Sequence, residues 1–126
     1  SATYAGIPLT HRKFASSVVF VTGHEDSEKK KEDVRWKKLA KSTDTIVVMM
    51  GLARISKICK QLSEGGMEKN TPVAVIQDGT TSKQKMITGT ISNIAQKVKQ
   101  SKIKPPSIII IGKVVSLSKT IGWRKK

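Results

Sequence analysis

Four consecutive isoleucines, Ile108 to Ile111, constrain this chain more than any other stretch. Successive side chains of a strand point to opposite faces, so an unbroken β-branched run is satisfied only where both faces of a sheet are covered. Ile46-Val47-Val48-Met49-Met50, bounded by Asp44-Thr45 and Gly51, makes the same demand. Both stretches predict buried strands in a sheet that has something packed on each side.

The intervening residues predict what does the packing. Ser17 to Val21 reads as a strand ending at Thr22-Gly23-His24, and Pro72 opens a β-branched strand over Val73 to Ile76. The turn pair Asp78-Gly79 then lets Gln84 to Thr88 return as a hairpin partner. Leu52, Ile55, Cys59 and Leu62 recur at helical spacing with Arg54, Lys57, Lys60 and Gln61 turned outward, and Gly65-Gly66 closes that helix. Ile91, Ile94, Ala95 and Val98 form a second apolar stripe. Residues 25–38 read as a solvated loop entering a short helix, with Trp36, Leu39 and Ala40 at helical spacing and the tryptophan as a core anchor. Val114, Val115 and Leu117 add a short apolar tail. Strands and helices alternate, which predicts an α/β fold: a single domain over residues 1–126, with a mixed, mostly buried β-sheet flanked by helices. The opening Ser1 to Ala5 reads like the middle of a helix, which leads us to expect a longer parent polypeptide.

The chain carries a net charge of +15, unevenly placed. Residues 80–126 hold 11 Lys or Arg and no Asp or Glu, which points to an anionic partner. Aromatic residues make up only 4%, and no nucleic-acid recognition signature interleaves them with the cations. His11 and His24 lack ligand-spaced companions, so no metal site is expected. Neither a GxSxG nor a GxGxxG pattern is present, and Cys59 has no activating neighbour, so no self-contained catalytic set is expected either. No run of 18 apolar residues or secretory pattern occurs. A lone cysteine suits a reducing, cytoplasmic setting without a membrane.

Taken in order, Gly6-Ile7-Pro8-Leu9-Thr10-His11-Arg12, Ser17-Val18-Val19-Phe20-Val21-Thr22-Gly23-His24, Met50-Gly51-Leu52, Thr71-Pro72-Val73-Ala74-Val75, Asp78-Gly79-Thr80-Thr81, Thr88-Gly89-Thr90, Pro105-Pro106-Ser107 and Gly112-Lys113-Val114-Val115, with Trp123 beyond them, resemble the C-terminal half of uroporphyrinogen-III C-methyltransferases, in the tetrapyrrole methylase superfamily. The resemblance implies the C-terminal domain of an enzyme that methylates uroporphyrinogen III from S-adenosyl-L-methionine, giving precorrin-2 for sirohaem or cobalamin. It implies cofactor contacts at Met50, Gly79, Ala74, Thr88, Gly89 and Thr90, and substrate contacts at His11 and Arg12. The residue types suit those roles: a thioether packs on an adenosyl group, small residues admit backbone contacts, and threonine hydroxyls hydrogen-bond. A polycarboxylate substrate also gives the lysines something to attract. The resemblance further implies a homodimeric complete enzyme, an N-terminal domain absent from this chain, and a fragment that is catalytically silent alone.

Another precorrin methylase or a diphthine synthase is the close alternative, and a basic nucleic-acid-binding module using residues 80–126 is the distant one. A dedicated module would bind duplexes with a salt slope near about −0.9 per phosphate contact. We expect RNA and DNA to bind no tighter than about 10⁻⁴ M at physiological salt, the level of nonspecific attraction. A salt titration showing a Kd below about 10⁻⁶ M, tighter than nonspecific phosphate contacts reach, would favour the module.

Overall fold

The structure, a computed structural model, describes residues 7, 10, 12, 16–23, 35–77 and 84–117. In chain order these form β1 (Val18–Thr22), α1 (Trp36–Leu39), β2 (Thr45–Met49), a 3-10 turn (Leu52–Arg54) leading into α2 (Ile55–Glu64), β3 (Pro72–Gln77), β4 (Lys85–Thr90), α3 (Ile94–Gln100), β5 (Ser107–Ile111) and a closing 3-10 helix (Lys113–Leu117). The five strands make one sheet in the order β1-β2-β5-β3-β4. β1 and β2 are parallel, while β5 runs antiparallel to both of its neighbours, β2 and β3, and β4 runs antiparallel to β3. It follows that β1, β2 and β3 share one direction and end at the same side of the sheet.

Register explains how the isoleucine run is satisfied. Val48, Ile109 and Val75 lie side by side, as do Ile46, Ile111 and Val73. These point to the helix side, where Trp36, Ile55, Ile58, Cys59, Leu62 and Ile94 close over them. Val47, Ile110 and Ala74 form the row between and point the other way, into a smaller cluster with Ile7, Ile76, Val114 and Val115. Each buried Ile, Leu or Val contributes about 1.5–3 kcal/mol. The apolar tail expected after β5 is therefore a 3-10 helix that covers the second face. Ile58, which the helical stripe had left out, is buried beside Cys59 and widens the apolar face of α2.

α2 stops where Gly65-Gly66 predicts. Gly66 has φ of 108°, its N–H donates to the Ser63 carbonyl at 3.0 Å, and the Met67 N–H reaches back to the Leu62 carbonyl at 3.0 Å. This paired closure requires a left-handed residue, for which glycine carries no Cβ penalty. The residues expected to form the opening helix, the charged loop before Trp36, the Asp78-Gly79 turn and Trp123 lie outside the described residues.

A polar bracket holds β1 and β2 in register at their starts. Asp44 Oδ2 accepts from the Ser16 N–H at 2.9 Å and from the hydroxyls of Ser16 and Ser17 at 3.3 Å each, while the Asp44 N–H donates to Ser17 Oγ at 3.0 Å. The Ser16 backbone donor, joined by the Ser16 and Ser17 hydroxyls and opposed by desolvation, holds the Asp44 carboxyl below its ordinary value of 3.8. A depressed carboxylate contributes stability that is present above its ordinary value and lost as pH falls through the folded one. Asp44→Asn should therefore melt below the wild type at neutral pH, with the gap closing as pH falls through 3.8 and below. A gap that persists in acid would show that charge is not what the bracket uses.

Candidate functional site

The ends of β1, β2 and β3 converge on one rim, a position where α/β sheets commonly hold ligands. Two glycines shape it. Gly23 donates to the Met49 carbonyl at 2.7 Å, and a Cβ on Gly23 would sit 2.6 Å from the Gly51 Cα and 3.0 Å from Val48 Cγ1. A Cβ on Gly51 would in turn meet Val48 Cγ1 at 2.6 Å and Ile58 Cδ1 at 3.3 Å. Backbone thus packs directly on backbone at the tips of β1 and β2. Between the two, Met50 leaves the strand at φ of 57° and stays 65% exposed. A left-handed backbone costs a non-glycine residue about 1–2 kcal/mol, so the fold holds this thioether outward at an expense. Met50 is accordingly not a core residue at the end of a strand.

Beside Met50 lies an apolar row. Thr22, Met49, Ile108, Ile76 and Met86 pair across all five strands in register. They point to the side opposite the helices, and the covering 3-10 helix does not close over the row's ends: Met49 is 39% and Met86 37% exposed, with Phe20 on the outer strand at 56%. Gln77 Oε1 accepts the Lys104 N–H at 2.7 Å and ties the end of β3 to the loop before β5. Lys85 and Lys104, both exposed, place cations around this rim.

The residues expected to contact cofactor and substrate are not all gathered here. Met50 lies at the rim, whereas Gly79 and His11 lie outside the described residues. Arg12 is exposed in a turn. Ala74 is fully buried in the second cluster, paired with Thr88 in register. Thr88 lies three residues below Met50 in register and three strands over, which is roughly 10 Å along the strands and about 14 Å across them. Thr88, Gly89 and Thr90 line a different cavity, of about 290 Å³, with Pro72, Asn93, Lys97, Val115 and Ser116. What sequence reasoning missed is the partly open row that joins Met49 and Met86, with Phe20 exposed on the same face two residues before Thr22. Its signal was available in the hairpin pairing, which puts Met86 opposite Ile76, but long-range register is invisible to local pattern.

Other chemistry is thin. Burial pushes the Cys59 thiol up to about 11, so it stays protonated and unreactive. Among the described residues no group of His, Cys, Asp and Glu could hold a metal ion, and no helix is long and apolar enough to cross a membrane.

Residues 1–95 match the family described as Tetrapyrrole (Corrin/Porphyrin) Methylases. A siroheme synthase of Nitrosomonas eutropha is 47% identical over 97% of this chain, which covers 25% of that protein. An S-adenosyl-L-methionine-dependent uroporphyrinogen III methyltransferase of Methanosarcina barkeri is 43% identical over 97% of this chain and 48% of its own length. Among solved structures, the uroporphyrin-III C-methyl transferase from Thermus thermophilus complexed with S-adenyl homocysteine superposes with a TM-score of 0.76 at 27% identity, covering 90% of this chain and 49% of that one. The chain thus spans between about a quarter and a half of the relatives it matches.

The exposure and backbone of Met50 make opposite demands on two substitutions. Met50→Gly should melt at or near the wild-type temperature, since relief of the left-handed penalty offsets glycine's entropy cost of about 0.5–1 kcal/mol. Met50→Val, β-branched at positive φ, should lose about 1–3 kcal/mol. Thermal or denaturant unfolding checks both, and a large loss in Met50→Gly would mean that the side chain is packed rather than presented.

Proposed function

The chain belongs to the tetrapyrrole methylases, and from that premise we propose that it is the carboxyl-terminal domain of an S-adenosyl-L-methionine-dependent uroporphyrinogen-III C-methyltransferase that makes precorrin-2 for sirohaem or cobalamin. The observation that carries the reading is Met50, held outward by the Gly23–Gly51 contact at the end of β2.

S-adenosyl-L-methionine supplies an already activated methyl group, and a pyrrole carbon of a porphyrinogen is electron-rich enough to accept it. The protein's task is then to align the two and exclude water rather than to furnish a nucleophile. That accords with a Cys59 thiol that stays protonated. In this reading the Met50 thioether packs against the adenosyl group, and Gly79, two residues beyond β3 in sequence, lets backbone approach it. The row of Met49, Ile108 and Met86 lies on the same rim and offers apolar surface to a flat ring. Lys85, Lys104 and Arg12 attract the acceptor's carboxylates, with His11 beside Arg12 in sequence. The complete protein is a cytoplasmic homodimer, and this rim is one wall of a cleft whose other wall is its amino-terminal domain.

One wall covers only part of a ligand, and affinity falls with the ligand surface left in water. The parent protein should convert uroporphyrinogen III and S-adenosyl-L-methionine to a methylated tetrapyrrole, and Met50→Glu in it should raise the S-adenosylhomocysteine Kd at unchanged melting temperature. The 126-residue chain should melt cooperatively yet transfer no methyl group unless the amino-terminal domain is added back. Absence of product from the parent protein would refute the activity, and turnover by this chain alone would refute the shared cleft.

A further inference from the structure

The cavity lined by Thr88, Gly89 and Thr90 lies away from Met50, and its lining has a chemistry of its own. Two of its hydroxyls are already engaged, Ser116 Oγ donating to the Lys113 carbonyl at 2.8 Å and Thr90 Oγ1 paired with Ser92 Oγ at 2.9 Å, but Lys97, Asn93 and Thr88 hold donors that await an acceptor. Lys97 Nζ donates one of its three protons to the Thr88 carbonyl at 2.9 Å, which leaves two. Asn93 Oδ1 accepts the Thr90 N–H at 2.8 Å, an orientation that leaves the Asn93 NH₂ without a partner among the described residues. The Thr88 hydroxyl likewise has none among them. The lining contains no Asp or Glu to compete for these donors. Pro72 and Val115 supply apolar wall between them.

Gly89 is what lets the donors come so close. A Cβ there would sit 2.5 Å from Asn93 Oδ1, 3.2 Å from Lys97 Cδ and 3.3 Å from Ile94 Cδ1. Any larger residue would push Asn93 and Lys97 outward and open the cavity.

We propose that this cavity is a carboxylate subsite, which takes a short alkyl carboxylate with its head on Lys97, Asn93 and Thr88 and its methylenes on Pro72 and Val115. A cation and neutral donors facing one space favour an anion. The apolar walls favour an alkyl carboxylate over an inorganic ion, and about 290 Å³ suits a side arm rather than a whole drug-sized ligand. Given the methyltransferase reading above, the arm belongs to the tetrapyrrole acceptor, and that last assignment rests on that reading.

The subsite is tested on this chain with glutarate as the probe, followed by amide NMR shifts at constant ionic strength, with phosphate alongside. Glutarate should saturate shifts at Gly89, Thr90, Asn93 and Ser116. Lys97→Gln and the near-isosteric Thr88→Val should each weaken it at least severalfold, whereas Lys99→Gln on the same helix should not. Shifts that never saturate, that weaken equally in Lys99→Gln, or that phosphate reproduces at equal affinity would overturn the subsite. In the parent protein, Lys97→Gln should raise the KM for the tetrapyrrole and leave that for S-adenosyl-L-methionine unchanged; the reverse pattern would overturn the acceptor assignment. Glutarate binding beside a parent protein without methyl transfer would leave the subsite standing and remove the reading of its occupant.

Discussion

Everything in this fold depends on one strand that must be covered on both sides. β5 runs against the direction of β2 and β3 while sitting between them, and its four isoleucines alternate between the two apolar clusters. Ile109 and Ile111 meet the helices; Ile110 meets Ala74, Val47 and the closing 3-10 helix. A one-residue slip would exchange those partners wholesale. The register would then place Ile110 under α2 and leave Ile109 facing a short helix that was built for another side chain. Tight pairing on both flanks of β5 is thus what lets β1 and β4 be the more exposed strands at the margins.

The two coverings are unequal, and the inequality positions the chemistry. Three helices close one face, while on the other Ile7 and five residues of 3-10 helix cover the centre and the starts of β2 and β3. The uncovered remainder coincides with the rim where three strands end, so exposed thioethers and lysines share one neighbourhood. A surface of this kind is apolar enough to want a flat ring and basic enough to want an acid. Its shape comes from backbone packing at Gly23 and Gly51, not from any reactive side chain.

Most of the architecture was legible because burial and sequence pattern have the same cause. The isoleucine run, the Val73–Ile76 strand and the α2 stripe each announced their covering, and Gly65-Gly66 announced its stop. What stayed hidden depends on register between distant segments. Nothing near Met86 says that it will join Met49 and Ile108 in one row, and nothing near Thr88 says that Lys97 will fold back on its carbonyl. The short tail after β5 looked like a simple apolar ending, because a 3-10 helix lacks the length to show a period. Among the expected site residues, Met50 proved exposed at the rim and Ala74 buried, a difference set by strand-end geometry that residue type alone does not encode.

The hydrogen bond from Lys97 to Thr88 has a consequence for how this chain coexists with copies of itself. β4 is the outermost strand on its side of the sheet, and such a strand is a template on which another chain can add by backbone pairing. An ammonium seated on its carbonyl, with exposed Lys85 at its start, sets both a competing donor and a positive charge along that border. A second copy approaching there would have to displace one lysine and bring up its own. The border therefore resists filament growth.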